Sequence, residues 1–230
     1  MARRIKNWLI DYLHAFRAHS YAFFVKPPTH YLGYVNTEKA PVILIPGIYE
    51  KWHFLKAIAD PLSLKGHPIY ILEHLGYNTK GIHHTAKLIR ELIDEKNLRN
   101  VILVAHSKGG LIGKYLLAFH NKDGRIKKLF AIATPFGGSR IVKLIPRAIA
   151  KRLLLLEFAP ANKLIKDLRS EKEVNCMIVS IYGASDNHIW PEASCKLEGA
   201  TNIQINVHGH HKILFDKKLR GILQSMIGKT

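Results

Sequence analysis

Three residues with hydrolytic chemistry follow one another along the chain, and each comes shortly after an apolar run of strand length. They are Ser107, Asp186 and His210. A serine hydroxyl is a weak nucleophile that needs a base to accept its proton, and the base needs an acid to orient it. Because the carboxyl ends of parallel strands meet at one edge of a sheet, these residues predict a nucleophilic site there.

The segment around Ser107 has the pattern of a sharp turn between a strand and a helix. The apolar run 101–105 precedes it, and a helical pattern follows at once. Such a turn exposes the hydroxyl at a helix N-terminus, where free N–H groups favour a developing negative charge. Ala105 and Gly109 are small, as a tight turn requires. An ordinary turn with a capping serine is the alternative.

The composition indicates a single globular domain with an unusual charge. The chain has 230 residues, of which 47% are hydrophobic, with 35 Lys and Arg against 17 Asp and Glu, a net charge of +18. Such a surface attracts polyanions such as nucleic acid, anionic lipid or an acidic partner. No nucleic-acid-binding motif accompanies it, so specific nucleic-acid recognition is not expected. A solvated basic surface is the alternative.

Several features favour a cytoplasmic protein, with peripheral attachment to a membrane as an option. Cys176 and Cys195 are too few for a disulfide framework, and no apolar run has the length that crosses a bilayer. Asp11, His14 and Arg17 interrupt what would be the apolar core of a signal peptide.

Residues 1–25 are predicted to form one amphipathic helix, ending before Pro27 and Pro28. Its apolar residues recur at helical spacing: Ile5, Trp8, Leu9, Tyr12, Leu13 and Phe16. Aromatic residues with flanking arginines suit contact with an anionic membrane. Packing on the sheet or a dimer contact is the alternative. The expected organisation is a helix and linker over 1–35 and a second unit over 36–230.

Strands and helices alternate along the second unit, which predicts an α/β fold with a mostly parallel sheet and helices on both faces. The predicted strands are 41–45, 68–72, 101–105, 129–133, 176–182 and 202–207, and the predicted helices are 52–64, 85–96 and 217–227. His83 and His84 would precede the second of these helices. Residues 138–175 exceed what one helix needs and predict a lid or cap, with two additional packed helices as the alternative.

Five segments in this order resemble the α/β-hydrolase superfamily, in particular small bacterial lipases and triacylglycerol-lipase-like and GPI-deacylase-like serine esterases. They are Leu44–Gly47, Ala105–Gly110, Ala133–Ser139, Tyr182–Asp186 and Gly209–Leu214. The resemblance covers residues 41–230 and leaves out the N-terminal helix.

The resemblance implies roles for individual residues and no cofactor or metal. Ser107 would be the nucleophile, His210 the base and Asp186 the orienting acid, while the backbone N–H groups of Ile48 and Lys108 would form the oxyanion hole. The residues expected in the substrate pocket or its lid are Tyr49, Phe136, Leu153 and Leu154.

The chain departs from the lipase pattern at two positions. Bulky Ile48, Tyr49 and Glu50 replace further glycines after Gly47, which predicts a differently shaped acyl pocket. Lys108 stands beside the nucleophile, where it would either favour an anionic substrate or point into solvent.

Several alternative assignments remain open for the acid and the base. His208 and His211 are alternative bases, and Glu192 is a weaker competitor of Asp186. A metal site made of the histidines and Asp186 is disfavoured, because no thiolate lies nearby in the sequence.

The expected function is that of a serine esterase or lipase acting on a carboxylic ester, with lipid as one possible substrate. The alternative is a non-enzymatic or weakly active basic protein that binds anionic membrane or nucleic acid. The complete set of Ser107, Asp186 and His210 favours the enzyme.

Overall fold

Six parallel strands form one sheet in the computed structural model, which describes the backbone of residues 2–33 and 35–228 and the side chains of these ranges from residue 5 onward. The strands are β1 Val42–Ile45, β2 Ile69–Tyr70, β3 Val101–His106, β4 Ile126–Ile132, β5 Ile178–Ser185 and β6 Thr201–His208. Their order is β2-β1-β3-β4-β5-β6. The predicted parallel sheet is confirmed, although β2 is shorter than expected.

The burial of the strands explains their positions in the sheet. Every residue of β1 and β3 is buried, as is typical of central parallel strands that are covered on both faces. In β6 burial is partial and alternates near the carboxyl end, which fits its place at the sheet edge.

Helices cover both faces of the sheet. They are α1 Ala2–Phe24, α2 His30–Gly33, α3 Lys56–Ser63, α4 Ile82–Glu95, α5 Lys108–Phe119, α6 Arg147–Arg152, α7 Lys163–Ser170 and α8 Lys217–Ile227. One core contains residues of α1, α3 and α8, and the other contains residues of α4, α5 and α7. The last helix has its predicted bounds, but α4 begins earlier than expected. The prediction that His83 and His84 precede the helix was therefore wrong.

Residues 138–175, here called the cap segment, connect β4 to β5 through α6, α7 and three short 3-10 turns. The turns Arg140–Leu144 and Leu155–Phe158 flank α6. Ile165 and Leu168 of α7 are buried in the same core as α5. The segment thus combines a part that borders a cavity, described below, with a part that packs as ordinary helix.

Helix α1 packs along one side of the sheet. Asp11, Ala15 and Ala18 are buried at spacings of one helical turn, and the two alanines belong to the core that also contains α3 and α8. Large apolar residues on another side of α1 remain exposed. No helix within the described ranges has the length and hydropathy needed to cross a bilayer.

The turn between β3 and α5 is held by very close backbone contacts. Ser107 has φ 51°, a left-handed value that non-glycine residues rarely adopt. A Cβ on Gly109 would lie 2.1 Å from the carbonyl oxygen of Ile45, and one on Gly110 would lie 1.9 Å from Oγ1 of Thr134. The N-terminus of α5 therefore lies directly against the chain that leaves β1.

This contact predicts that Gly109→Ala destabilises the fold. The added methyl group would collide with backbone, which cannot move as a side chain can, so a loss of about 3 kcal/mol in the free energy of unfolding is expected. Gly221→Ala in α8 is the matched control, because nothing lies within 4 Å of its new Cβ and alanine favours helix. Urea denaturation of both variants tests this, and a Gly109→Ala protein as stable as Gly221→Ala would contradict it.

Candidate active site

The structure brings the three sequence-predicted residues together at the carboxyl edge of the sheet. Ser107 lies between β3 and α5, Asp186 directly follows β5, and His210 lies just beyond β6. Nε2 of His210 is 3.0 Å from Oγ of Ser107, and Nδ1 of His210 is 2.8 Å from Oδ2 of Asp186. The three side chains thus form one continuous hydrogen-bonded chain.

Asp186 is buried and its carboxylate is fully engaged. Oδ1 accepts the backbone N–H groups of His188 at 2.7 Å and of Ile189 at 2.9 Å, which leaves Oδ2 for His210. Burial alone would raise the pKa of Asp186, but the charge and hydrogen bond of His210, aided by His188, hold it below its ordinary value. The carboxylate is therefore ionised at neutral pH.

His210 is buried between this carboxylate and the serine. Its backbone N–H donates to Oδ1 of Asn187 at 2.9 Å. Burial alone would lower its pKa, but Asp186, and at longer range Glu50 and Asp11, raise it above 6.5. With Nδ1–H donating to Asp186, Nε2 is left as the acceptor for the Ser107 hydroxyl.

A second carboxylate and imidazole lie behind the first pair. Glu50 is buried, accepts the N–H of Gly47 at 2.7 Å and contacts Nδ1 of His106 at 2.8 Å. Nε2 of His106 is 3.0 Å from the carbonyl oxygen of His210. Although burial opposes it, His106 lowers the pKa of Glu50 to about 2. Glu50 therefore fixes the loop after β1 to the chain at His210.

The backbone N–H groups proposed for an oxyanion hole are available. Gly47 donates to Glu50, whereas Ile48 and Lys108 make no backbone N–H hydrogen bond to any residue that the structure describes. Lys108 begins α5, where N–H groups have no partner within the helix. Ile48 lines the same cavity as Ser107.

The expectation that Lys108 points into solvent was wrong, and its side chain does not line the cavity at Ser107 either. The side chain is fully buried, and Nζ donates to the carbonyl oxygens of Asn78 at 3.1 Å and Lys80 at 2.5 Å. Glu157 of the cap segment lies 3.7 Å away. Burial lowers the pKa of Lys108. Because backbone carbonyls replace water around the ammonium, the residue ties α5 to a neighbouring loop and is shielded from solvent.

The alternative acids and bases lie elsewhere. Nδ1 of His208 contacts Oγ of Ser185, and His211 contacts Asp11 and Glu50. Neither ring forms a hydrogen bond to Ser107 in the described part of the chain. Glu192 belongs to a short 3-10 turn, and within the described ranges it forms no hydrogen bond with His210. Within the described ranges, no three His, Cys, Asp or Glu side chains form a group that could hold a metal ion.

An apolar cavity of about 650 Å³ opens at Ser107 and His210. Its walls come from α1, the loop after β1 and the cap segment. The apolar and aromatic lining residues include Tyr12, Ala15, Phe16, Ile48, Tyr49, Ile141, Val142, Ile145, Leu155 and Phe158. Such a lining suits an acyl chain better than a charged group.

Of the four residues expected in the substrate pocket or lid, Tyr49 lines this cavity and the other three do not. Phe136 is buried beside Lys114, whose Nζ lies 6.0 Å from the ring centre, and it does not reach this cavity. Leu153 and Leu154 follow α6, where a left-handed backbone at Leu154 with φ 55° leaves both side chains exposed. The adjacent Leu155 lines the cavity in their place.

Asp11 of α1 is a site residue that the sequence analysis missed. It is fully buried, and its Oδ1 accepts the backbone N–H groups of His211 and Lys212, each at 2.7 Å. Oδ2 accepts the side-chain amide of Asn187 at 3.1 Å and contacts Nδ1 of His211 at 3.2 Å. The sequence feature that could have revealed it is that Asp11 is the single acid of α1 and lies one helical turn from the small residue Ala15.

His188 was also missed, although it lines the cavity and its ring centre lies 4.6 Å from that of His210. Burial and the neighbouring positive charge of His210 lower its pKa to about 3. His188 is therefore neutral at physiological pH and adds no charge beside the proposed base.

The comparisons with known proteins agree with this architecture. Residues 40–153 match the family model described as alpha/beta hydrolase fold. The lipase BlEst2 of Bacillus licheniformis in its mature form is similar at 16% identity and a TM-score of 0.64, covering 87% of this chain and 96% of that one. The sequence match over residues 40–153 and the similarity to this solved structure show that the chain has the α/β-hydrolase fold.

Two further solved structures have the same fold. A carboxylesterase of the thaumarchaeon Nitrososphaera gargenis shares 16% identity with a TM-score of 0.62, covering 85% of this chain and 93% of that one. A monoacylglycerol lipase of Paleococcus ferrophilus shares 14% identity with a TM-score of 0.60, covering 84% and 97%. The similarity to all three is one of fold.

The buried position of Asp11 predicts a pH-dependent contribution to stability. Burial would raise its pKa, but His211 and the N–H of Lys212 hold it well below the ordinary 3.8. The contribution of the Asp11 carboxylate to the free energy of unfolding is therefore present above pH 3.8. It is lost as the pH falls towards the lowered pKa of the folded state. Asp11→Asn should lower the free energy of unfolding at pH 7 by about 2 kcal/mol.

The difference between wild type and Asp11→Asn should shrink between pH 4 and pH 2.5, measured by urea denaturation. Asp167→Asn is the control, because that carboxylate of α7 is 46% exposed and, among the described residues, forms an ion pair only with the exposed Lys163. A difference for Asp11→Asn that stays constant with pH would contradict the account.

Proposed function

We propose that this protein is a serine hydrolase that cleaves carboxylic esters through an acyl-enzyme on Ser107. The observation that carries the proposal is the hydrogen-bonded chain Ser107–His210–Asp186 at the wall of an apolar cavity. The solved structures similar to this chain include lipases and carboxylesterases, which supports an ester as the substrate class.

The geometry suits general-base catalysis of acyl transfer. As Oγ of Ser107 attacks the carbonyl carbon, Nε2 of His210 accepts its proton, and Asp186 stabilises the imidazolium that forms. The N–H groups of Ile48 and Lys108 would stabilise the oxyanion. His210 then donates its proton to the leaving alcohol, and in the second half-reaction it activates a water molecule that releases the acid.

The cavity favours an ester with an apolar acyl group. Side chains from α1 and the cap segment supply most of its apolar lining, and Lys108 is turned away from it. A buried apolar wall contributes about 25 cal/mol per Å² of acyl surface removed from water, whereas a charged acyl group would lose its hydration there.

The roles of the serine and histidine are tested by hydrolysis of a short soluble p-nitrophenyl ester. Ser107→Ala and His210→Ala should each reduce turnover on the order of 10⁶-fold, because they act as a unit. His208→Ala is the matched control and should be nearly neutral, and His211→Ala should be milder than His210→Ala. If His211→Ala alone lost activity, the general base would be His211 and not His210. Unchanged activity in Ser107→Ala would remove the proposed nucleophile, and no hydrolysis by wild type would favour the non-enzymatic alternative.

The pH profile tests the pairing of His210 with Asp186. The base must be neutral to accept a proton, and its raised pKa places the acid limb of the rate above pH 6.5. Asp186→Asn removes the main charge that raises this pKa, so the limb should move to lower pH and turnover should fall about 10⁴-fold.

Glu192→Gln is the control for this experiment, since it removes a carboxylate of the same loop region that does not contact His210. Glu192→Gln should change neither the pH of the acid limb nor the turnover. If the acid limb moved in Glu192→Gln but not in Asp186→Asn, Glu192 and not Asp186 would be the acid that orients His210.

A further inference from the structure

A row of large apolar side chains lies exposed along α1. Ile5, Leu9, Leu13, Phe16 and Phe23 recur at helical spacing and are between 51% and 74% exposed. They lie on a different side of the helix from the buried Asp11, Ala15 and Ala18. An exposed apolar patch of this kind on a helix that is already packed needs another partner.

The cap segment adds a second exposed apolar group across the same cavity. Leu144 is 71% exposed, and its neighbour Ile145 lines the cavity. On the other side, Phe16 is both exposed and part of the cavity wall. The mouth of the cavity is therefore bordered by apolar side chains from α1 and from the cap segment.

The exposed charges of α1 and of residues 138–156 have a single sign. Residues 138–156 contain no Asp or Glu, and the only carboxylate of α1 is the buried Asp11. The basic residues of this part of the cap segment are exposed and form no ion pair with another described residue. They are Arg140, Lys143, Arg147, Lys151 and Arg152.

We propose that α1 and residues 138–156 together dock on an anionic phospholipid bilayer. The apolar side chains would enter the interface while the basic ones contact lipid phosphates. Nucleic acid would leave the apolar rows in water, and an acidic protein partner would need a fitted groove, whereas a bilayer accepts a broad apolar surface with mobile cations.

The docked orientation has a consequence for the substrate, which rests on the proposed function. The mouth of the cavity would face the bilayer, so the acyl chain of a lipid ester could move from the membrane to Ser107 without crossing water. Asp11 holds α1 to the loop after β6, so the helix carries the whole molecule to the surface.

The surface is tested with the full-length protein and vesicles of phosphatidylglycerol or phosphatidylcholine. The charge variant combines Lys143→Gln, Arg147→Gln, Lys151→Gln and Arg152→Gln. The apolar variant combines Ile5→Ser, Leu9→Ser and Leu13→Ser. None of these residues lines the cavity at Ser107.

Matched controls lie at the opposite, amino-terminal edge of the sheet. The charge control combines Lys65→Gln, Arg99→Gln, Lys122→Gln and Lys127→Gln, four exposed residues without an ion pair in the described ranges. The apolar control is Leu64→Ser, at a side chain that is 79% exposed.

In co-sedimentation, wild type should bind phosphatidylglycerol more strongly than phosphatidylcholine, and salt should weaken the binding. Each charge lost from the cap segment should weaken binding about fivefold at low salt. The apolar variant should lose the part of vesicle binding that remains at high salt. Both control variants should bind vesicles as strongly as wild type. All variants should keep wild-type turnover of the soluble ester, which shows that they are folded.

Wild-type protein that does not bind phosphatidylglycerol would overturn the proposal, as would a charge control that loses as much binding as the charge variant. Ser107→Ala separates this inference from the proposed function. If wild type and Ser107→Ala both bind vesicles but neither hydrolyses an ester, the docking surface stands and the enzymatic proposal fails.

Discussion

The geometry of the site depends on three ionised carboxylates that are buried around His210. Asp186, Glu50 and Asp11 are all buried at one edge of the sheet, where an unpaired charge would cost several kcal/mol. Each carboxylate is compensated in the same way, by backbone N–H groups and an imidazole. The loops after β1, β5 and β6 therefore hold each other in place, and His210 lies where all three meet.

This arrangement gives α1 a structural role that its place in the chain does not suggest. The family model begins at residue 40, so α1 lies outside the matched region. Yet Asp11 accepts three N–H groups around the loop that carries His210, and a Cβ on Gly209 would lie 2.5 Å from its Oδ1. The helix is thus part of the framework of the proposed active site and also one wall of the cavity.

Features that depend on neighbours in the sequence could be predicted. Continuous apolar runs predicted the parallel strands, and the small residues around Ser107 predicted the turn between β3 and α5. The order of Ser107, Asp186 and His210 after three strands predicted the residues that the structure brings together.

Features that depend on distant contacts could not be predicted. Asp11 and His211 are 200 positions apart, and no local pattern pairs them. Lys108 was misjudged because its carbonyl partners at Asn78 and Lys80 belong to a loop without a motif. Leu153 and Leu154 were misjudged because one left-handed residue decides which leucines of an apolar run face inward.

The central claim is that Ser107 is a nucleophile activated by His210, and the most direct measurement is mass spectrometry of the protein after reaction with a fluorophosphonate. The account predicts a single phosphonyl adduct on the peptide that contains Ser107. It also predicts that labelling slows in His210→Ala and stays near the wild-type rate in His208→Ala. An adduct on another serine, or equal labelling of wild type and His210→Ala, would contradict it.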